Sequence, residues 1–319
     1  MRVLFIGTGE IGVPVLRWLI DSPEHELVGV VTQPDKPVGR SQRVEAPPIK
    51  AALGAVPVPV LQPERIKREE AIAEIRALEP EVIVVMAYGQ ILPRAVLEIP
   101  PVACLNLHAS LLPKYRGAAP IQAAIATGER ETGITVMYMD VGLDTGDILL
   151  ESRIAIAANE TGGSLHDRLG EIAPEALAEA LAKLAHGNAS RVPQNNDEAT
   201  HAPKLEREHG RIDWSEPADV IERKIRAFNP WPGSYAILRD GDGTDLKLKI
   251  FSASVSDASG PALGQIAASQ NDGLLIGASN NALRLQEVQL EGKKRMRAAD
   301  LIRGHPWIAS ATIVFQGQA

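Results

Sequence analysis

The sequence is poor in several things that would mark other protein classes. A single cysteine in 319 residues leaves no internal disulfide and no multi-thiolate zinc centre, which predicts a reducing, cytoplasmic setting. Long apolar runs are missing. Arg, Glu or Pro cuts each one short of the roughly 20 residues a membrane span takes, so no transmembrane helix and no membrane partner is expected. The first twenty residues, MRVLFIGTGEIGVPVLRWLI, are apolar enough to be tested as a leader. Glu10 and the glycines at 7, 9 and 12 break any hydrophobic h-region there, and a strand, turn and helix fit better. An excess of positive charge is lacking too. The formal net charge of −7 divides into −8 over residues 1–203 and +1 over residues 204–319. A polyanionic partner would therefore be met by local basic clusters rather than by the whole surface. Finally, the seven histidines (25, 108, 166, 186, 201, 209 and 305) form no HxH or HExxH pattern, so no metal is predicted.

What remains is ordinary globular composition, 45% apolar and 23% charged, in a chain long enough for two domains. The first half alternates short apolar runs with helical patterns, which predicts an α/β fold with a mostly parallel sheet covered by helices. Candidate strands are residues 2–7, 26–32, 82–87 and 102–108. Interiors such as VIVVMA are continuously apolar, as strands buried on both faces should be. Helical patterns fill 11–20, 65–78 and 164–185. Polar, irregular text then runs to Gly210. The expected division is an α/β domain over 1–187, a linker over 188–210 and a smaller β-rich domain over 211–319, in which a helix near 218–227 precedes short strands such as LKLKIF and ALRLQEV.

Two glycine-bearing segments invite functional readings. Gly7-Thr8-Gly9-Glu10-Ile11-Gly12 matches GxGxxG between a strand and a helix, where a dinucleotide phosphate can rest. The second strand ends VVTQPD with no acidic residue at its tip, so a tight strand-to-helix turn is the preferred reading. Asp140-Val141-Gly142-Leu143-Asp144-Thr145-Gly146-Asp147 offers three carboxylates, but counting from Asp140 puts Gly142 and Thr145 where an EF-hand needs a ligand and a glycine. A loop that carries one carboxylate to a histidine is the better use, and the spacing leaves open which Asp serves.

The most informative strand end is Cys104-Leu105-Asn106-Leu107-His108. Alternation sends Asn106 and His108 to one face and Leu105 and Leu107 to the other, so an amide and an imidazole converge where open α/β sheets bind ligands. A histidine merely hydrogen-bonded in the core is the competing reading. The loop that follows, SLLPKYRGAAP, has Lys114 and Arg116 as expected ligand rim. Cys104 itself reads as buried and inert. Elsewhere, Gly292-Lys293-Lys294-Arg295-Met296-Arg297 is a compact basic cluster, and Arg40, Arg43 and Lys50 decorate the loop after the second strand. Residues 226–233, RAFNPWPG, read as a hinge or a contact surface, with the hinge preferred.

NLHASLLPKYRGAAPIQ followed by ETGITVMYMDVGLDTGDIL resembles the formyltransferase signature of the methionyl-tRNA formyltransferase family. QPDKPVGR, VVMAYGQILP, ATHAPKL, RIDW, IRAFNPWPGS and GKKRMRAADLI follow in that family's order, so the resemblance spans nearly the whole chain. It implies a Rossmann-like formyltransferase domain followed by an OB-like barrel. It also implies transfer of a formyl group from 10-formyltetrahydrofolate to the α-amine of methionyl initiator tRNA, without a metal and without an obligate protein partner. Carried over by motif, Asn106, His108 and Asp144 are the catalytic set. Ser110, Leu111, Leu112 and Pro113, with Gln90, Ile91 and Leu92, line the folate site. Arg40 and Arg43 are expected at the acceptor end of the tRNA, and Lys293, Lys294, Arg295 and Arg297 on its backbone. The family's often more basic GRGKKL-like stretch is Gly39-Arg40-Ser41-Gln42-Arg43-Val44-Glu45 here, and His201 stands where a tyrosine is common. The rival expectations are a folate-dependent enzyme formylating a sugar nucleotide, a nicotinamide-binding regulator resting on GTGEIG, and a passive tRNA-binding protein.

Overall fold

The computed structural model describes residues 1–39, 42–256, 260–269 and 273–315. The chain forms two compact units. The first comprises Met1–Pro120, Glu131–Ala155 and His166–Pro203, and the second Ile121–Arg130, Ile156–Leu165 and the chain from Lys204 onward.

The first unit is built on a seven-stranded sheet: β1 (Arg2–Gly7), β2 (Glu26–Val31), β3 (Val60–Leu61), β4 (Val82–Met86), β5 (Ala103–His108), β6 (Glu131–Tyr138) and β7 (Ile148–Ala155). Their order across the sheet is β7-β6-β5-β4-β1-β2-β3. The five strands from β5 to β3 are parallel, and β6 and β7 add antiparallel at one edge. β1, β4 and β5 are buried along almost their whole length, which is why their sequences read as unbroken apolar runs rather than as alternation. Helices α1 (Val13–Asp21), α2 (Pro48–Leu53), α3 (Glu69–Ala77), α4 (Arg94–Leu97) and α5 (Pro120–Thr127), the last falling almost wholly in the second unit, connect successive strands, and α6 (Gly162–Ala185) follows β7. The GTGEIG turn is tight for a packing reason. A Cβ at Gly7 would press on the Phe5 ring and the Met86 carbonyl, and one at Gly12 on Phe5 and Ile49. Thr8 Oγ1 donates to the Tyr88 carbonyl at 3.0 Å, so its hydroxyl serves the fold.

The second unit has its own apolar core around Trp214, Ile221, Ile225, Leu238, Leu248, Leu285 and Leu301. Helix α7 (Ala218–Ala227) buries Ile221 and Ile225, four apart on one face. An antiparallel, nearly closed barrel follows, with principal strands β8 (Ser234–Arg239), β9 (Asp245–Ser256), β10 (Ile266–Ser269), β11 (Gly273–Gly277) and β12 (Ala282–Leu290). Residues 226–233, preferred as a hinge on sequence, instead join α7 to β8 inside this unit, and Trp231 is left half exposed there.

The segment read as a linker is largely tied down. His201–Ala202 pairs in parallel with Arg116–Gly117, and Val192 bridges to Ile148. Its irregular composition reflects backbone satisfied by short, isolated pairings with distant residues rather than by long ladders, which leaves no periodicity to read.

Candidate active site

The site starts at the end of β5. Residues two apart on a strand share a face, and Asn106 and His108 do so at 9% and 6% exposure. Buried polar groups need partners, and both find them in loops that meet this strand end. His108 Nε2 lies 2.9 Å from the Tyr115 carbonyl oxygen. A carbonyl only accepts, so Nε2 carries the N–H of the neutral ring. That leaves Nδ1 turned toward Asp144, whose Oδ2 is 3.7 Å away. Asn106 Nδ2 donates to Asp144 Oδ1 across a long 3.4 Å, and the Gly117 amide donates to Asp144 Oδ2 at 2.8 Å. The carboxylate is therefore not what orients the ring. The Tyr115 carbonyl does that, and Asp144 faces the other nitrogen.

The loop between β6 and β7 separates its three carboxylates, which spacing left equivalent. Asp140 accepts from the Gly142 amide and the Thr145 hydroxyl and so closes its own turn. Asp147 faces the Arg191 guanidinium at 3.8 Å. Only Asp144 reaches His108. It does so from a left-handed backbone position, φ 54°, which Asp tolerates better than most residues. A Cβ at Gly146 would overlap the Tyr138 carbonyl, so the chain passes too close there for any side chain.

The loop after β5 is fixed from below. Thr135, opposite His108 on β6, donates its hydroxyl to the Ser110 carbonyl at 2.6 Å and accepts the Leu112 amide at 3.1 Å. Ser110 is fully buried and donates to the Lys114 carbonyl. Leu112 is buried, while Leu111 and Pro113 are half-buried. Gln90 accepts from the Ile66 amide and donates to the Glu64 carbonyl, and Leu92 packs in the core beside Val96, which leaves Ile91 as the exposed side chain of the trio at 80%.

Arg116 departs from the expected rim. It is 5% exposed, and its guanidinium is spent on amide oxygens: Gln194 Oε1 at 3.0 and 2.7 Å and Asn196 Oδ1 at 2.9 Å. A buried cation must find acceptors, and the segment read as a linker supplies them. The backbone carbonyl of Tyr115, the backbone N–H of Gly117, the Thr135 hydroxyl and Gln194 are the site's unread supports. Only the glycine in RGAAP gave any signal of a constrained backbone.

The basic residues fall into distinct groups. Arg40 lies outside the described residues. Arg43 is exposed on a short strand, Arg43–Glu45, paired with Lys36–Val38. Lys50 is not a free cation, because it binds both Asp35 oxygens and Gln62. Hydrogen bonds from Gln62 and then Lys50 hold the Asp35 carboxyl below its ordinary value. In the second unit, Lys293 and Lys294 are exposed with no side-chain partner among the described residues. Arg295 pairs with Glu287 and lies over the Phe251 ring, and Arg297 pairs with Asp300. Burial pushes the Cys104 thiol up to about 12, as an inert core cysteine should be.

Comparisons with known proteins place the chain in a family. A formyl transferase family model matches residues 1–181, and the model of the formyl transferase C-terminal domain matches residues 204–306. The chain belongs to the formyl transferase family, and within it to the methionyl-tRNA formyltransferases, which are enzymes. It is 47% identical over 307 residues to the methionyl-tRNA formyltransferase of Citrifermentans bemidjiense, covering 96% of this chain and 94% of that one. Among solved structures, HypX from Aquifex aeolicus in complex with tetrahydrofolic acid shares the fold at 19% identity, with a TM-score of 0.61 over 95% of this chain and 47% of that one. WlaRD, a sugar 3N-formyl transferase, does so at 16% identity and TM-score 0.63 over 92% of this chain and 99% of that one. Among the described residues no group of three or more His, Cys, Asp or Glu side chains is placed to hold a metal ion, and no helix is long and apolar enough to cross a membrane.

Proposed function

We propose that this enzyme transfers the formyl group of 10-formyltetrahydrofolate to the α-amine of methionyl initiator tRNA in the cytoplasm, and that Asn106, His108 and Asp144 carry the reaction. The observation that supports this most is the meeting of an amide, an imidazole and a carboxylate at the carboxyl end of a central strand, with the imidazole and the carboxylate each held by a further contact to the backbone. The amine nitrogen adds to the formyl carbon, and the carbonyl π pair moves onto oxygen. Collapse of that tetrahedral oxyanion breaks the bond to folate N10, which takes a proton while the amine loses one.

Asn106 has a second amide hydrogen to offer the oxyanion. His108, once protonated at Nδ1, is a cationic donor beside it. Asp144 steadies that imidazolium and helps pass the amine's proton. The amine is the nucleophile, so none is needed from the protein, and the buried Cys104 thiol offers none. Ser110, Leu111, Leu112 and Pro113 with Gln90, Ile91 and Leu92 form the folate wall in this reading. Arg40 and Arg43 meet the acceptor end, and Lys293, Lys294, Arg295 and Arg297 the tRNA backbone.

The test is formyl transfer from 10-formyltetrahydrofolate, with charged initiator tRNA and an amino-sugar nucleotide offered in parallel. Transfer to the tRNA alone is expected, with loss in the Asn106→Ala, His108→Ala and Asp144→Ala variants. Transfer to the sugar instead overturns the acceptor. Full activity in all three variants overturns the catalytic set.

A further inference from the structure

Asp144 must be presented to His108 from a backbone conformation that an L-residue adopts at a cost, and its own loop does little to hold it there. The Asp140 turn is closed on Gly142 and Thr145, on either side of residue 144, without a hydrogen bond to residue 144 itself. The grip comes from elsewhere. Gln194 Nε2 donates one hydrogen to the Asp144 carbonyl at 2.9 Å and the other to the Gly146 carbonyl at 2.8 Å, so one amide straddles the carboxylate-bearing residue. The other end of that amide is locked as well, because Gln194 Oε1 accepts both Nε and Nη2 of Arg116. Arg116 is buried and makes no ion pair among the described residues, which is an expensive way to deploy a guanidinium unless its fork is needed. Its flanking residues complete the arrangement. Tyr115 gives its carbonyl to His108 and Gly117 gives its amide to Asp144, so three consecutive residues touch all the elements that set the imidazole and carboxylate against each other.

We infer that Gln194, oriented by Arg116, is a positioning residue that sets the Asp144 carboxylate against His108 for formyl transfer. The inference rests on the proposed role of Asp144. Gln194 is too occupied to act on substrate: both amide hydrogens and the amide oxygen are engaged by protein. Its effect must pass through the backbone at 144–146. Misplacing a catalytic group by about 1 Å costs on the order of 10²-fold in turnover. Near-isosteric loss of the two donors should therefore lower kcat without weakening donor binding.

The experiment is a double-mutant cycle in the full chain, combining Gln194→Leu with Asp144→Ala and following kcat, KM for 10-formyltetrahydrofolate, and thermal unfolding. In the parent background Gln194→Leu is expected to reduce kcat by about ten- to hundredfold with less than about a twofold change in KM. In the Asp144→Ala background the same change should reduce it less than about twofold, since residues that act as one unit do not add. Gln194→Glu, which keeps the length and an acceptor for Arg116 but loses both donors, should match Gln194→Leu in kcat even where it unfolds at the parent's temperature. That separates positioning from folding. Equal losses from Gln194→Leu in both backgrounds, or parental kcat in Gln194→Glu, overturn the inference while leaving Asp144 catalytic. Parental activity of Asp144→Ala alone overturns the underlying assignment instead, so the two failures are distinguishable.

Discussion

The end of β5 and the basic segment 292–297 both carry polar groups assigned to one reaction, and they are built in opposite ways. Asn106 and His108 are buried side chains, and their neighbour Asp144 is itself held by the Gly117 amide, so the arrangement has little freedom. Along Lys293–Arg297 every cation is exposed. Two of the four are tied to carboxylates at the surface, Arg295 to Glu287 and Arg297 to Asp300, and the two lysines are left to solvent. Bond-making chemistry gains from preorganised donors in a dry setting, where no reorganisation is needed as charge develops. A phosphate backbone is bound through counterion release, which asks for charge nearby and tolerates mobile side chains.

Substitutions can break or sharpen that contrast. The largest effect is expected for His108→Ala and Asp144→Ala, with turnover falling by about 10²- to 10³-fold at saturating substrates, measured by single-turnover formyl transfer. A fall of less than tenfold would mean that the buried constellation is merely structural. Next comes Gly117→Ala. Its φ of 120° and its approach to the Ala202 carbonyl leave no room for a Cβ, and the variant should lose about 1–3 kcal/mol of stability in denaturant titration of the first unit's signal, with activity falling in parallel.

The paired and unpaired cations then separate from each other. Lys293→Ala with Lys294→Ala should weaken tRNA binding and lower the slope of log K against log salt by about two. Arg297→Ala should change it by less, because Asp300 already neutralises that charge. A fall of about one from Arg297→Ala, half that of the double lysine change, would show that surface pairing is irrelevant to tRNA contact. The smallest effect concerns Cys104. With the thiol raised from an ordinary 9.0 to about 12, iodoacetamide at pH 8 should leave it unmodified in the folded chain and alkylate it fully in denaturant, as read by mass spectrometry. The unfolded thiol ionises first. Its contribution to stability is therefore intact below about pH 9 and is lost as pH rises from there toward 12.

How much of this was legible in the chain differs by residue. The pairing of Asn106 with His108 follows from strand alternation alone. The unbroken apolar run VIVVM announces a strand buried on both faces, and α7 shows its apolar side every fourth residue. Arg116 was legible as a cation and misleading as a rim residue, because nothing local tells a solvated arginine from one whose fork is filled by amides 78 residues away. The three carboxylates of the 140–147 loop looked alike for the same reason. Their separate fates were fixed by Thr145, Arg191 and the strand end they happen to meet.

Periodicity, composition and motif order therefore determined the elements, the parallel sheet and the family, since these depend on interactions a few residues long or on patterns repeated along the chain. Folding in three dimensions decided which carboxylate faces the imidazole, which ring nitrogen it faces, and that Gln194, in apparently featureless text, grips the loop bearing Asp144. Those outcomes rest on hydrogen bonds between residues 7 to 80 positions apart, and a donor's sequence neighbours carry no information about an acceptor so distant.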